Sequence, residues 1–133
     1  MLRYIFLIIV LFLFDLITKL FFKGKEIFLF KYFSFNYVEN TGSIFGLFSR
    51  RNTFFTVLTL LILIVLVYIF REDKDSRLGI SFIIAGAFGN FVDRINYGFV
   101  VDFIDLGFWP VFNLADCFIV AGVIFLAVKL YNK

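Results

Sequence analysis

The stretch FNLADCFIVAGVIFLAV (Phe112–Val128) decides how the chain is read. From Cys117 to Val128 it carries no charge. The apolar window from Val111 to Val128 meets the lower limit of about 17–20 residues that a helix needs to cross a bilayer. Yet Asp116 stands at its mouth. An ionised group at the centre of a bilayer costs roughly 2.5–3.5 kcal/mol on insertion scales, so such a residue is a functional candidate with an expected partner. Upstream stands a second aspartate, Asp102, in VVDF (Val100–Phe103).

Working outward, Tyr4–Phe22 and Thr53–Phe70 are windows of the same kind, and Leu78–Val92 is a shorter one that continues into Asp93 and Arg94 at an interface. The chain has 133 residues and is 62% hydrophobic, against roughly 45–50% apolar in soluble domains. These features predict an all-α membrane protein: a four-transmembrane-helix bundle forming one domain over residues 1–133. The amino terminus has the basic residue and apolar run of a signal peptide. No A-x-A-like site follows, and Asp15 and Lys19 interrupt the run, so it is read as a retained first helix.

Composition excludes several classes. The net charge is +3, and the basic residues lie between helices rather than in a stripe, so nucleic acid is not an expected partner. A single cysteine, Cys117, allows no internal disulfide. With no histidine, a zinc protease is disfavoured. Neither metal nor cofactor is expected.

Between the first two helices, Lys23–Asn52 has internal order. In KYFSFNYV (Lys31–Val38) Phe33, Phe35 and Tyr37 alternate with Ser34 and Asn36, the period of a strand. ENTGS (Glu39–Ser43) reads as a turn, and SIFGLF (Ser43–Phe48) as a short interfacial segment. REDKDSR (Arg71–Arg77) is a compact polar turn, and NYG (Asn96–Gly98) another. FVVDFI suggests a short strand, and Trp109–Pro110 an interface. The sequence therefore adds a small β-rich region to the bundle.

Alternating topology brings the polar residues together. Helices one and three rise from the side of the termini and helix four descends. Asp15 and Lys19, then Asn90, Asp93 and Arg94, then Asn113 and Asp116 in the first turn of helix four, all gather on the far side with Asp102. In helix three, Gly79, Gly86, Asn90 and Asp93 make one stripe, its glycines allowing close approach of another helix. The positive-inside count is six bases on each side, so charge does not orient the chain.

Each residue has a plainer alternative. Asp116 fits a helix cap, where the macrodipole favours negative charge. Asp102 fits a solvated loop, and Asp105 competes with it, facing elsewhere if the segment is a strand. Asp15 and Lys19 fit a structural ion pair with the lysine snorkelling. Arg94 fits a simple pair with Asp93, and Cys117 a small core residue. Facing each other in a partly dry site, however, two carboxylates share a proton and can activate water.

The ordered set DLITK (Asp15–Lys19), ENTGSIFG (Glu39–Gly46), GAFGNFVDR (Gly86–Arg94), VVDFID (Val100–Asp105) and FNLAD (Phe112–Asp116) resembles the lipoprotein signal peptidase, or signal peptidase II, family. The resemblance spans nearly the whole chain. It implies an intramembrane aspartic endopeptidase of the bacterial cytoplasmic (inner) membrane, which removes signal peptides from diacylglyceryl-modified prolipoproteins. It implies Asp102 and Asp116 as the catalytic dyad. By the same resemblance Asp15, Lys19, Asn40, Gly42, Gly86, Asn90, Arg94, Asn113 and Ala115 bind substrate or support the site, with Asn40 and Arg94 expected to hold substrate carbonyls or the developing oxyanion. It further implies an extracytoplasmic β-rich cradle, cytoplasmic termini, a site near the outer leaflet, and the prolipoprotein and membrane lipid as partners; a monomer is expected.

The sequence departs from the family pattern at Ser43–Ile44, Ala85 and Cys117, and Ile44 is expected to narrow the entrance. Two rivals remain. A small proton- or ion-translocating membrane protein also uses intramembrane aspartates, but needs polar groups through both halves of the bilayer. A helix-packing subunit uses the glycine stripe but has no need of Asp102.

Overall fold

The structure, a computed structural model, describes residues 2–42, 52–70 and 73–131. The elements run α1 (Leu2–Phe22), β1 (Glu26–Phe30), β2 (Phe33–Asn40), α2 (Asn52–Phe70), a 3-10 turn (Lys74–Ser76), α3 (Arg77–Tyr97), β3 (Val100–Asp105) and α4 (Leu114–Tyr131). Among the described residues, three segments are long and apolar enough to cross a membrane by length and composition: Leu2–Phe22, Lys74–Tyr97 and Leu114–Tyr131. Their outer faces expose Phe6, Phe14, Ile17, Val123 and Ile124, as helices bathed in lipid do. The predicted interfacial segment Ser43–Phe48, with the Ser43–Ile44 departure, lies outside the described residues.

Helix α3 is the central strut, packed against α1, α2 and α4. It gains that place by having small residues where neighbours cross. A Cβ on Gly86 would overlap the Ala115 carbonyl of α4, and one on Gly79 would meet the Gly122 carbonyl. Gly122 returns the arrangement, because its own Cβ would meet the Gly79 carbonyl and Ile83. Gly89 faces α1, where a Cβ would overlap Asp15. Such contacts bring backbones together where lipid offers no hydrophobic driving force. The helix passes the expected end at Arg94 and stops at Gly98 (φ 78), whose N–H caps the Arg94 carbonyl at 3.1 Å.

The strands form one antiparallel sheet in the order β1-β2-β3. Both expected strands are present, and β1, EIFLF, joins them without any alternation of polarity to announce it. All its residues are exposed. Strand β2 pairs Val38 with Asp102 and Asn40 with Val100, with a bulge between Phe35 and Val38. The sheet rests on the end of α1. Phe22 stacks between Phe35 (4.2 Å between centroids) and Phe103 (4.7 Å). Each such pair contributes about 0.5–1.5 kcal/mol beyond area burial.

At the opposite end, the described part of the polar turn is held by a second cluster. Asp73 caps the 3-10 turn, accepting from the Asp75 N–H (3.1 Å) and the Ser76 hydroxyl (2.9 Å). Lys129 of α4 pairs with Asp73 and donates to Ser76 Oγ at 2.9 Å.

Candidate active site

Helix α4 opens on a reciprocal cap. Asn113 Oδ1 accepts the Asp116 N–H (2.9 Å), and Asp116 Oδ2 accepts the Asn113 N–H (3.2 Å). This is a capping box with Asp in the acidic place. Asn113 therefore stands just ahead of the helix rather than within its first turn. Capping uses one oxygen of Asp116. The other, Oδ1, accepts the Asn90 side-chain amide of α3 at 2.8 Å.

The Asn113 amide nitrogen points at Asp102 Oδ1, 2.6 Å away. It also reaches Asn90 Oδ1 (3.0 Å) and the Val101 carbonyl (3.2 Å), so its two N–H bonds serve three acceptors. One buried asparagine is thus bonded to both aspartates. Asp102 is only 1% exposed, so the alternative of a solvated loop carboxylate is wrong. Strand pairing carries it there, with its flanking Val101 and Phe103 in the core.

The second Asp102 oxygen accepts Asn40 Nδ2 at 2.8 Å. Asn40 is aimed by its other side-chain atom, since Oδ1 accepts the Gly42 N–H at 2.8 Å. Gly42 sits at φ 76, a left-handed conformation that strains any side-chain-bearing residue. Burial pushes the Asp102 carboxyl up to about 7, and the charge of Asp116 adds to the rise, while the Asn40 and Asn113 amides oppose it.

Beneath the pair lies a buried ionic cluster. Lys19 Nζ contacts Asp15 (2.8 Å), Asp93 (3.0 Å) and Asn90 Oδ1 (2.9 Å), and is 3% exposed. The expected i,i+4 pair is present, but the lysine does not snorkel. Two carboxylates and an amide hold it inside, where a cation needs full pairing. Asp15 Oδ1 accepts the Ala115 N–H of α4 at 2.9 Å, satisfying one of the free donors of that helix terminus from another helix. Asp93 Oδ2 also accepts the Val101 N–H at 3.1 Å, fixing β3 one residue before Asp102.

The structure therefore brings together Asp15, Lys19, Asn40, Gly42, Asn90, Asp102, Asn113, Ala115 and Asp116, with Gly86 as the seat for Ala115. Arg94, whose plainer alternative is a simple pair with Asp93, lies within electrostatic reach of Asp116 and Asp102 as well as Asp93. Asp105 turns elsewhere and accepts the Gly107 N–H at 2.7 Å. Cys117 is only partly buried and is not a core residue. With Asp116, Trp109, Val120 and Ile124 it lines an apolar groove of about 390 Å³ along α4. Sequence reasoning missed the link from Asp93 to β3. The spacing that set Asp93 on the polar stripe was its one available signal. Among the described residues, no group of three or more acids and cysteines is placed to hold a metal ion.

The family model for signal peptidase (SPase) II matches residues 7–132. The lipoprotein signal peptidase of Clostridium novyi (strain NT) is 42% identical over 134 aligned positions, covering 90% of each chain. That of Moorella thermoacetica is 43% identical over 103 positions, covering 74% of this chain and 69% of its own. A solved bacterial membrane enzyme superposes with a TM-score of 0.84 at 33% identity, covering 98% of this chain and 88% of that one. The chain belongs to the signal peptidase II family.

Proposed function

We propose that Asp102 and Asp116 are the catalytic dyad with which this peptidase cleaves signal peptides from diacylglyceryl-modified prolipoproteins. Family membership makes the chain an endopeptidase. The observation that carries the dyad assignment is Asn113, one buried residue that donates to the Asp102 carboxylate through its side-chain amide and to the Asp116 carboxylate through its backbone N–H. In the resting pair one proton is shared. Asp102, whose carboxyl holds its proton up to about 7, is the acid. Asp116, in the first turn of α4 beside the positive end of the macrodipole, is the base. Asp116 takes a proton from water as the water oxygen bonds to the scissile carbonyl carbon. Asp102 gives its proton to the carbonyl oxygen. The tetrahedral diol then collapses: one hydroxyl returns its proton to Asp102 as the C=O bond re-forms, the C–N bond breaks, and the leaving amine takes a proton from Asp116, so the dyad ends with one proton as it began.

Asn40 and Asn113 hold Asp102, and Asn90 holds Asp116, so the reacting oxygens are set before substrate arrives. The bond to Asp102 makes Asn40 a positioning residue in the resting enzyme. Arg94, near both acids, stabilises charge on the carbonyl oxygen as the diol forms. The apolar groove along α4 from Cys117 to Ile124 takes an apolar part of the substrate.

The chain acts as one transmembrane peptidase domain over residues 1–133, as a monomer, since both acids come from one chain. Helix α2 is the fourth span. Its 19 residues carry no charge and extend about 28 Å, close to the roughly 30 Å of a bilayer core. Both termini face the cytoplasm, and the sheet and dyad lie at the outer leaflet of the bacterial cytoplasmic membrane. Exposed Phe28, Phe30, Phe108 and Trp109 around the sheet support that depth, because aromatic rings favour the interface.

Ion translocation is less well supported. The described buried polar side chains form two separate groups, one at the dyad and one at Ser76 and Ser81, with apolar Ile83, Ala85 and Ala87 buried between them on α3. The deciding test offers the purified protein a diacylglyceryl-modified precursor and its unmodified form. Cleavage is expected for the lipidated form only. Asp102→Asn and Asp116→Asn should each abolish it with the melting curve retained, and near-normal cleavage by either variant rules out the dyad.

A further inference from the structure

The end of the bundle farthest from the dyad holds a cavity of about 650 Å³, within the roughly 300–1,000 Å³ of ligand sites. Among the described residues, Arg3 of α1, Lys74 of the 3-10 turn and Arg77 at the start of α3 line it, against one acid, Asp75. Its net formal charge is therefore positive. The cavity does not end in protein. Through Arg3, Tyr4 and Leu78 it adjoins an apolar cleft of about 460 Å³ lined by Phe6, Leu7 and Val10. Through Leu78 and Phe125 it adjoins another of about 200 Å³, lined by Phe82 and Ala121. A basic mouth with two apolar branches matches a molecule with an anionic head and two hydrocarbon chains.

We propose that this cavity binds an anionic phospholipid of the leaflet facing Arg3, with its phosphate among Arg3, Lys74 and Arg77 and its acyl chains in the two clefts. The turn that carries Lys74 and Arg77 is held in place before a lipid arrives. Ser76 is fully buried, bonded to Asp73 and Lys129, and it fixes the turn between Lys74 and Arg77. Lys129 is engaged with Asp73 and Ser76, whereas Arg3, Lys74 and Arg77 line the mouth. Free phosphate would be attracted by the same charges but would gain nothing from the clefts. Basic pockets between spanning helices are a recurrent mode of lipid headgroup recognition.

The test titrates the purified full-length protein in detergent with phosphatidylglycerol and counts bound lipid by native mass spectrometry. One tightly bound phosphatidylglycerol is expected, with phosphatidylcholine much weaker. A base near an anionic headgroup contributes about fivefold in affinity. The double variant R3Q/R77Q should therefore bind phosphatidylglycerol about 25-fold more weakly. Val10→Trp, which fills one cleft and changes no charge, should weaken it too. Lys23→Gln, outside the cavity, should not. Equal binding of phosphatidylcholine, undiminished binding by R3Q/R77Q or by Val10→Trp, or displacement of the lipid by millimolar inorganic phosphate would each overturn the proposal. The measurement does not involve cleavage, so its failure is distinct from failure of the dyad assignment.

Discussion

Replacing Asn40 with alanine isolates one hydrogen bond whose effect on the chemistry has a definite sign. Asn40 donates to Asp102 Oδ2 at 2.8 Å, and this bond opposes the rise that burial imposes on the Asp102 carboxyl. In the wild type, activity should fall as pH rises through about 7, because Asp102 then loses its proton and the dyad has no acid. A hydrogen bond to a charged group is worth about 1.5–3 kcal/mol. At 1.36 kcal/mol for each tenfold change in acidity, losing it should move the alkaline limb upward by about 1–2 on the pH scale. The assay is cleavage of a lipidated precursor at saturating and at limiting concentrations from pH 5 to 10. Asn40→Ala should have a lower maximum and a limb displaced to higher pH. If Asn40 instead acts only on the substrate carbonyl, the maximum falls and the limb stays near 7. A limb that stays put or moves to lower pH refutes the assignment of this amide to ionised Asp102.

Further outcomes follow from the same contacts. Lys19→Met leaves Asp15 and Asp93 facing each other without their cation and should destabilise the fold by about 3–5 kcal/mol, read from the denaturant midpoint in detergent. Gly86→Ala drives a methyl into the Ala115 carbonyl, separating α3 from α4, and should lower both the melting temperature and the cleavage rate by a cost of about 1–3 kcal/mol. Asp102→Asn should flatten the pH dependence of stability. The wild-type Asp102 carboxyl holds its proton up to about 7 in the folded state, against an ordinary value of 3.8. Stability should therefore fall by about 4 kcal/mol as pH rises from about 4 to 7, then level off. A variant that keeps that slope assigns it to another group. Asp105→Asn should cleave at the wild-type rate, because its carboxylate is committed to the Gly107 turn.

Much of the architecture was legible because its signals are local. Long apolar windows, a period-two run in β2 and a glycine stop after α3 each declare themselves within a few residues. The two aspartates were legible because charge beside an apolar span is costly and needs a reason. Strand β1 was not, since EIFLF has no alternation, and its exposed apolar side chains have no solvated face to mark them off. Nor was the fate of Lys19. A lysine near a helix end suggests snorkelling, and only the approach of α3 puts Asp93 and Asn90 within reach of its ammonium group.

What this sequence determined by itself was the set of helices and which of their ends bear the polar residues, because hydrophobic length and alternating direction depend on chain order alone. The pairing within that set belongs to the tertiary structure. Asn113 joins Asp102 and Asp116, Asp15 caps a helix 100 residues away, and Asp93 holds β3. Those bonds are short-ranged and directional, so they exist only once Gly79, Gly86, Gly89 and Gly122 have let the helix backbones close to contact.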